Sequence, residues 1–216
     1  MMAAMIVCIT AVVCLLVAGW ADSRIAKVAA KMSAASAFLA MALAAGALES
    51  SYGQFMLAGL VCCWIGDACL LSSGRSTGFR LGIVAFLIGH LVYAAAFHRL
   101  GIDLGGFLGA ALVVGGLAAL TLRWLRPHVP DDFRIPIFCY VGVISLMVAA
   151  SVGAYMESAS IVLVIGAVGF AASDLFVARE RFVTQDFINS AIGLPAYFGS
   201  QMLLAYSVSL AVTTGA

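Results

Sequence analysis

The sequence predicts an all-α membrane protein: a single integral-membrane domain over residues 1–216, built as a bundle of eight transmembrane helices with both termini on the non-cytoplasmic side. Three observations carry that prediction. Of the 216 residues, 64% are hydrophobic and only 10% are charged, more apolar surface than a water-soluble core of this size can hide. The apolar residues fall into eight runs, each close to the roughly twenty residues that cross about 30 Å of hydrocarbon at helical rise. None of the runs alternates with period two, which excludes a barrel and leaves helices to satisfy the backbone in lipid.

The runs are taken in order. The first, 3 to 20, has the apolar stretch of a signal peptide but no Lys or Arg before it, and reads as a retained first helix. Runs at 32 to 48, 54 to 73 and 79 to 97 follow, and then 104 to 122, 135 to 152, 158 to 178 and 187 to 211. The polar connector Arg126-Pro127-His128-Val129-Pro130-Asp131-Asp132 divides them into halves, 1–125 and 131–216. In each half the third run ends in a Gly-Asp or Ser-Asp pair, Gly66-Asp67 or Ser173-Asp174, and a returning helix carries His90 and Tyr93 or Tyr197 and Gln201. That echo is the pattern of a parallel repeat, though an eight-helix chain also yields such echoes by chance.

Charge supplies the orientation. The odd-numbered loops carry Arg24, Lys27 and Lys31, then Arg75 and Arg80, then Arg123, Arg126 and Arg134, then Arg179 and Arg181; the even-numbered loops carry only Arg99. With ten of eleven cations on one side, the positive-inside rule places the odd loops in the cytoplasm. A formal net charge of +1 creates no field that would recruit nucleic acid. The six cysteines all lie within apolar runs and read as small core residues rather than metal ligands or disulfide partners. Trp20, Trp64 and Trp124 stand near run ends, as interfacial belt residues do. Phe79, Phe86, Tyr93 and Phe97 form a packing or lipid-facing stripe at helical spacing.

The exceptions to this apolar pattern are the candidate site. An ionisable side chain within a span is costly unless it is paired, hydrated or used. Counted at 1.5 Å per residue from the basic loop, Asp67 lies roughly 9 Å below the interface, with Asp174, Tyr140 and Asn189 in nearly the same layer, and His90 lies on the order of 15 Å down. Interhelical hydrogen-bond glue, worth about 1 kcal/mol per contact, is the plainer role for such residues. Two aspartates at matched depth favour chemistry, because Asn or Ser would serve as glue without the charge. Gly66, Gly89, Gly166 and Gly169 beside them allow close helix approach. A single intramembrane imidazole argues against a three-histidine zinc site, and no metal or cofactor is expected.

Gly66-Asp67-Ala68-Cys69-Leu70-Leu71 followed by Phe86-Leu87-Ile88-Gly89-His90-Leu91-Val92-Tyr93 resembles the YhhN family. So do, in order, Arg134-Ile135-Pro136 with Tyr140 and Met147, the stretch Gly166 to Phe182 containing Ser173-Asp174-Leu175 and Arg181-Phe182, and Ala196-Tyr197-Phe198 with Gln201-Met202-Leu203-Leu204. The chain departs from the family's Lys-Pro at the second helix, having Lys31-Met32. The characterised members of that family are lysoplasmalogenases with eight spans. The resemblance therefore implies hydrolysis of the vinyl ether bond of a lysophospholipid, giving fatty aldehyde and a glycerophospho-alcohol, by a multi-pass protein (in a bacterium, of the inner membrane).

The residues suit that chemistry. Proton delivery to carbon creates an oxocarbenium-like cation that water then captures, so an acid, an anion and water are needed, as in two-carboxylate glycosidases. Asp67 and Asp174 divide these roles, with the apolar surroundings of Asp67 favouring it as the acid. His90 completes the catalytic set, and His90 and Tyr93 position water or relay protons. Tyr93, Tyr140, Asn189, Tyr197 and Gln201 are expected to line the lipid site, with Lys31 or Arg134 holding its phosphate and the site opening to the cytoplasmic leaflet. Two rivals are a proton-coupled transporter, which needs polar groups continuing outward where only Glu49, Asp103 and Glu157 stand, and a non-catalytic lysolipid-binding protein.

Overall fold

The computed structural model describes residues 1–71, 77–158 and 160–214. Eight α-helices run along the chain: α1 Met2–Trp20, α2 Arg24–Ala44, α3 Ser51–Leu70, α4 Thr77–His98, α5 Leu104–Leu125, α6 Asp131–Ser158, α7 Ile161–Ala178 and α8 Phe187–Thr214. A π-helical turn, Arg179–Val183, continues α7. Three helix starts are capped by the side chain just before them: Ser23 accepts from the Ala26 N–H, Ser50 from Gly53 and Asp103 from Gly106. Gly46 and Gly101, at φ of 84° and 88°, make the left-handed turns that end α2 and α4.

Cross-connections define the two ends of the bundle. At one end Arg80 pairs with Asp132 at 2.7 Å and Arg181 donates to the Leu70 carbonyl at 3.4 Å, bringing the α3–α4, α5–α6 and α7–α8 connections together. At the other end the Asp103 N–H donates to the Gly153 carbonyl at 3.2 Å, beside Gly101 and Glu157. The helices pack chiefly as sequential pairs, α1 with α2, α3 with α4, α5 with α6 and α7 with α8, and α8 also lies against α1, α2 and α3. Cys8, Ala11, Val12 and Leu15 on α1 belong to the same main core as Phe38, Met41 and Leu204. Gly59 and Gly66 let α4 approach α3: a Cβ there would fall 2.5 Å from the Tyr93 ring and 2.7 Å from the Phe86 ring.

Seven of the eight helices, α1 to α7, are long and apolar enough to cross a membrane; α8 is not among them. The reason is its position. As the helix most surrounded by others it carries Asn189, Ser200, Gln201 and Ser207, all buried, where a lipid-facing helix would carry Leu or Val. Helix α5 is the opposite case, burying only Leu125 and touching little besides α6.

Some details differ from the sequence reading. Helix α2 starts at Arg24, so Lys31 stands two turns inside a span rather than in a loop; its ammonium tolerates this because Asp67 faces it. Cys14 and Cys139 are exposed on the helical surface, not in the core. Phe79, Phe86, Tyr93 and Phe97 are all buried, which makes the stripe a packing face. Trp64 donates its indole N–H to Ser36 at 3.2 Å, tying α3 to α2. Arg75, counted among the loop cations, lies outside the described residues.

Candidate active site

A cavity of about 440 Å³ opens where α3, α4, α5, α6, α7 and α8 surround the end of the bundle that holds the basic connections. Its walls are apolar: Phe79, Ile83 and Phe86 from α4, Val114 to Leu125 from α5, Ile137 to Val148 from α6. The stretch from Val114 to Leu125 covers roughly 16 Å along α5 at helical rise, so the cavity is elongated along that helix. Both aspartates open onto it, together with Lys31, Tyr140 and Tyr197.

The two acids have different companions. Asp67, 1% exposed, sits with Oδ1 3.1 Å from Lys31 Nζ, and its Oδ2 accepts from the Tyr197 hydroxyl at 2.7 Å. Three helices thus meet at one carboxylate, and its charge is compensated within the bundle. Asp174 is met by a phenol and an imidazole: Tyr140 donates to Oδ2 at 3.2 Å, and His90 Nε2 lies 3.4 Å from the same oxygen.

His90 is fully buried, with Phe170 stacked on it at 4.3 Å between ring centroids and Tyr140 edge-on at 5.4 Å. Its Nδ1 is 2.6 Å from the Phe86 carbonyl. A carbonyl only accepts, so Nδ1 carries the hydrogen and Nε2 is the nitrogen turned to Asp174. A bare Nε2 lone pair repels a carboxylate, so the contact is attractive only when a proton sits on one of the two groups. The 3.4 Å separation falls within ion-pair range, yet Nε2 makes no hydrogen bond.

Helical rise alone puts His90 deeper than Asp174, and side-chain direction closes the gap. Cβ bonds tilt toward a helix's N-terminus. Helix α4 begins, and α7 finishes, at the basic end of the bundle, so the histidine leans up toward that end and the aspartate leans down.

The other predicted residues take varied places. Tyr93 donates to Gln201 Oε1 at 2.7 Å, both fully buried and off the cavity wall. Tyr52 hydrogen-bonds Ser207 further along α8, so buried polar pairs extend into the half of the bundle away from the basic connections. Asn189 reaches the cavity wall but is engaged with the π-helical turn: it accepts from Arg179 and donates to Glu180 at 2.6 Å and to the Thr184 carbonyl at 2.9 Å. Arg134 pairs with exposed Asp131 at 2.7 Å and is not on the cavity wall. Sequence reading missed the Lys31–Asp67 pair and the presence of Glu180 and Arg181 on the cavity wall, where Arg181 spreads over the Phe79 ring at 4.7 Å. The motif containing Arg181-Phe182 was the available signal for the second. Among the described residues, no three His, Cys, Asp or Glu side chains converge as metal ligands would.

Fold and cavity define a multi-pass helical membrane protein with two carboxylates on the wall of an apolar cavity. Residues 26–208 match the YhhN family, and the chain belongs to it. Among similar proteins, a lysoplasmalogenase of Mycobacterium bovis is 29% identical over 75% of this chain and 63% of its own length. Lysoplasmalogenase TMEM86A of Bos taurus is 30% identical over 69% of this chain and 62% of its own length, and lysoplasmalogenase TMEM86B of Mus musculus is 31% identical over 68% and 60%. The match thus spans a little under two thirds of those relatives' length. No solved structure matches the chain.

Proposed function

We propose that this protein is a membrane-embedded hydrolase that cleaves the vinyl ether bond of lysoplasmalogens, as the names of its relatives indicate for them. The observation that carries the reading is the pair of differently partnered carboxylates on one apolar, elongated cavity. An ordinary packing contact needs no such division, and general acid–base chemistry does.

The partners also suggest which acid does what. Asp174, sharing a proton with His90, is the group to deliver that proton to the distal vinyl carbon. The double bond's electrons form the new C–H bond, and the carbon attached to oxygen becomes an oxocarbenium ion. Asp67, held as an anion by Lys31 and Tyr197, stabilises that cation. Water then adds to the cation, its proton passing to Asp174 and His90. The hemiacetal collapses as its hydroxyl gives a proton to the same pair and the glycerol oxygen takes one from it and departs, leaving the aldehyde. One water is consumed and the acid is restored. This division reverses the preference for Asp67 as acid drawn from its apolar neighbours alone, because Lys31 is part of its actual surroundings.

With the basic connections read as cytoplasmic, the cavity opens toward the cytoplasmic leaflet and takes up lysolipid from there. The deciding experiment incubates purified protein in detergent with an alkenyl-lysophosphoethanolamine and measures fatty aldehyde by mass spectrometry. Aldehyde in step with loss of lysolipid supports the reading; lysolipid bound and returned intact refutes hydrolysis and favours a binding protein.

A further inference from the structure

The π-helical turn Arg179–Val183 has a use that aldehyde chemistry does not require. Its residues Glu180 and Arg181 carry opposite charges, stand next to each other and both reach the cavity wall at the basic end of the bundle. π-Helical turns are uncommon and concentrate at functional sites. Here the turn brings two consecutive side chains to one opening.

Glu180 is held in place by only half of its carboxylate. Oε2 accepts from the Asn189 side chain at 2.6 Å and from the Asp186 N–H at 3.1 Å. Among the described residues, no donor reaches Oε1 and no cation lies within ion-pair distance of it. Of the two arginines beside it in sequence, Arg179 is turned onto the Asn189 side-chain oxygen, and Arg181 onto the Leu70 carbonyl and the Phe79 ring. The acid is therefore preorganised, only partly buried and without a cation in direct contact. Lys31 is paired with Asp67 and Arg134 with Asp131, so neither can complete it.

Building on the hydrolase reading, we propose that Glu180 selects the headgroup of the lipid by binding a cationic amine, while Arg181 beside it faces the phosphodiester. A zwitterionic headgroup carries an anionic phosphate and a cationic amine a short link apart, and adjacent Arg181 and Glu180 present the complementary order of charge. A headgroup that ends in neutral hydroxyls leaves Glu180 unanswered beside an anionic ligand. The cavity thus discriminates at its mouth by charge and along its length by apolar fit.

The test measures binding separately from turnover. Lysolipids with a saturated ether in place of the vinyl ether are not substrates for this chemistry. Their dissociation constants are compared for phosphoethanolamine and phosphoglycerol headgroups by native mass spectrometry of the full chain in detergent. Wild-type protein is expected to favour phosphoethanolamine by about tenfold, the size of a charge-assisted contact. Glu180→Gln, which keeps an acceptor for Asn189 and Asp186, is expected to bring the two within about twofold, and Glu180→Lys to reverse the order. A wild-type ratio near one, or an unchanged ratio in both variants, overturns the proposal. Headgroup preference that depends on Glu180 in a protein that releases no aldehyde from alkenyl-lysolipids refutes the hydrolase reading alone. Aldehyde release with a ratio indifferent to Glu180 refutes the headgroup role alone.

Discussion

Lys31→Met is the most informative single perturbation, because it removes a charge from the bundle while keeping the length of the stem. In the native protein the Lys31 side chain is 13% exposed and that of Asp67 2% exposed, with Nζ 3.1 Å from Oδ1. Without the ammonium, Asp67 keeps only the Tyr197 hydroxyl, and a buried carboxylate stands uncompensated. Breaking one side of a buried ion pair costs about 3–5 kcal/mol, whereas removing both sides is often close to neutral. Lys31→Met should therefore destabilise the protein by about 3–5 kcal/mol, and Lys31→Met with Asp67→Asn should recover most of that loss. The two changes should couple by about 2–3 kcal/mol. Reversible unfolding of purified protein in mixed micelles, followed by circular dichroism, measures all four corners of the cycle. Single-mutant costs that simply add in the double mutant would show that Lys31 and Asp67 do not act as a pair, and Asp67 would lose its role as a held anion.

Other expectations follow from the same geometry. Asp174→Asn should lower the rate of aldehyde release by about 10²–10⁴-fold, the usual worth of a positioned general acid, with helical content unchanged by circular dichroism. Tyr197→Phe leaves Asp67 Oδ2 without its donor and should cost about 1–3 kcal/mol in the same unfolding assay. Gly59→Ala would place a methyl 2.5 Å from the Tyr93 ring and should destabilise by about 1–3 kcal/mol through overpacking between α3 and α4. Val114→Trp fills the end of the channel farthest along α5 from the basic connections. It should shift preference toward shorter lipid chains, read as aldehyde yields from a mixed-chain substrate pool.

How much of this was legible in the sequence differs between fold and site. Helix existence came through clearly, since about twenty apolar residues between polar breaks admit one backbone solution in lipid. The cost of intramembrane charge pointed to Asp67, Asp174 and His90 before any coordinate was known. Boundaries came through less well: α2 extends back to Arg24 because hydropathy reads Lys31 as an end, while an ion pair lets it stand inside. The low apolar content of α8 likewise reflects its central place, which no linear window records.

The sequence by itself determined that the chain is a helical membrane protein of the YhhN family and that two aspartates share a depth beneath one face. The helices and the depth come from composition and from spacing along single helices, and the family from the ordered motifs that carry the resemblance. Which residue partners which acid was decided only by tertiary structure, because Lys31, Tyr197 and Asp67 come from three helices, and His90, Tyr140 and Asp174 from three more contributions across the bundle. Helix packing sets those distances and the dielectric around them, and the strength of an ion pair depends on both. The same packing turns Arg134 outward and brings Glu180 to the cavity wall, the two places where a residue's role depended on the direction it faces.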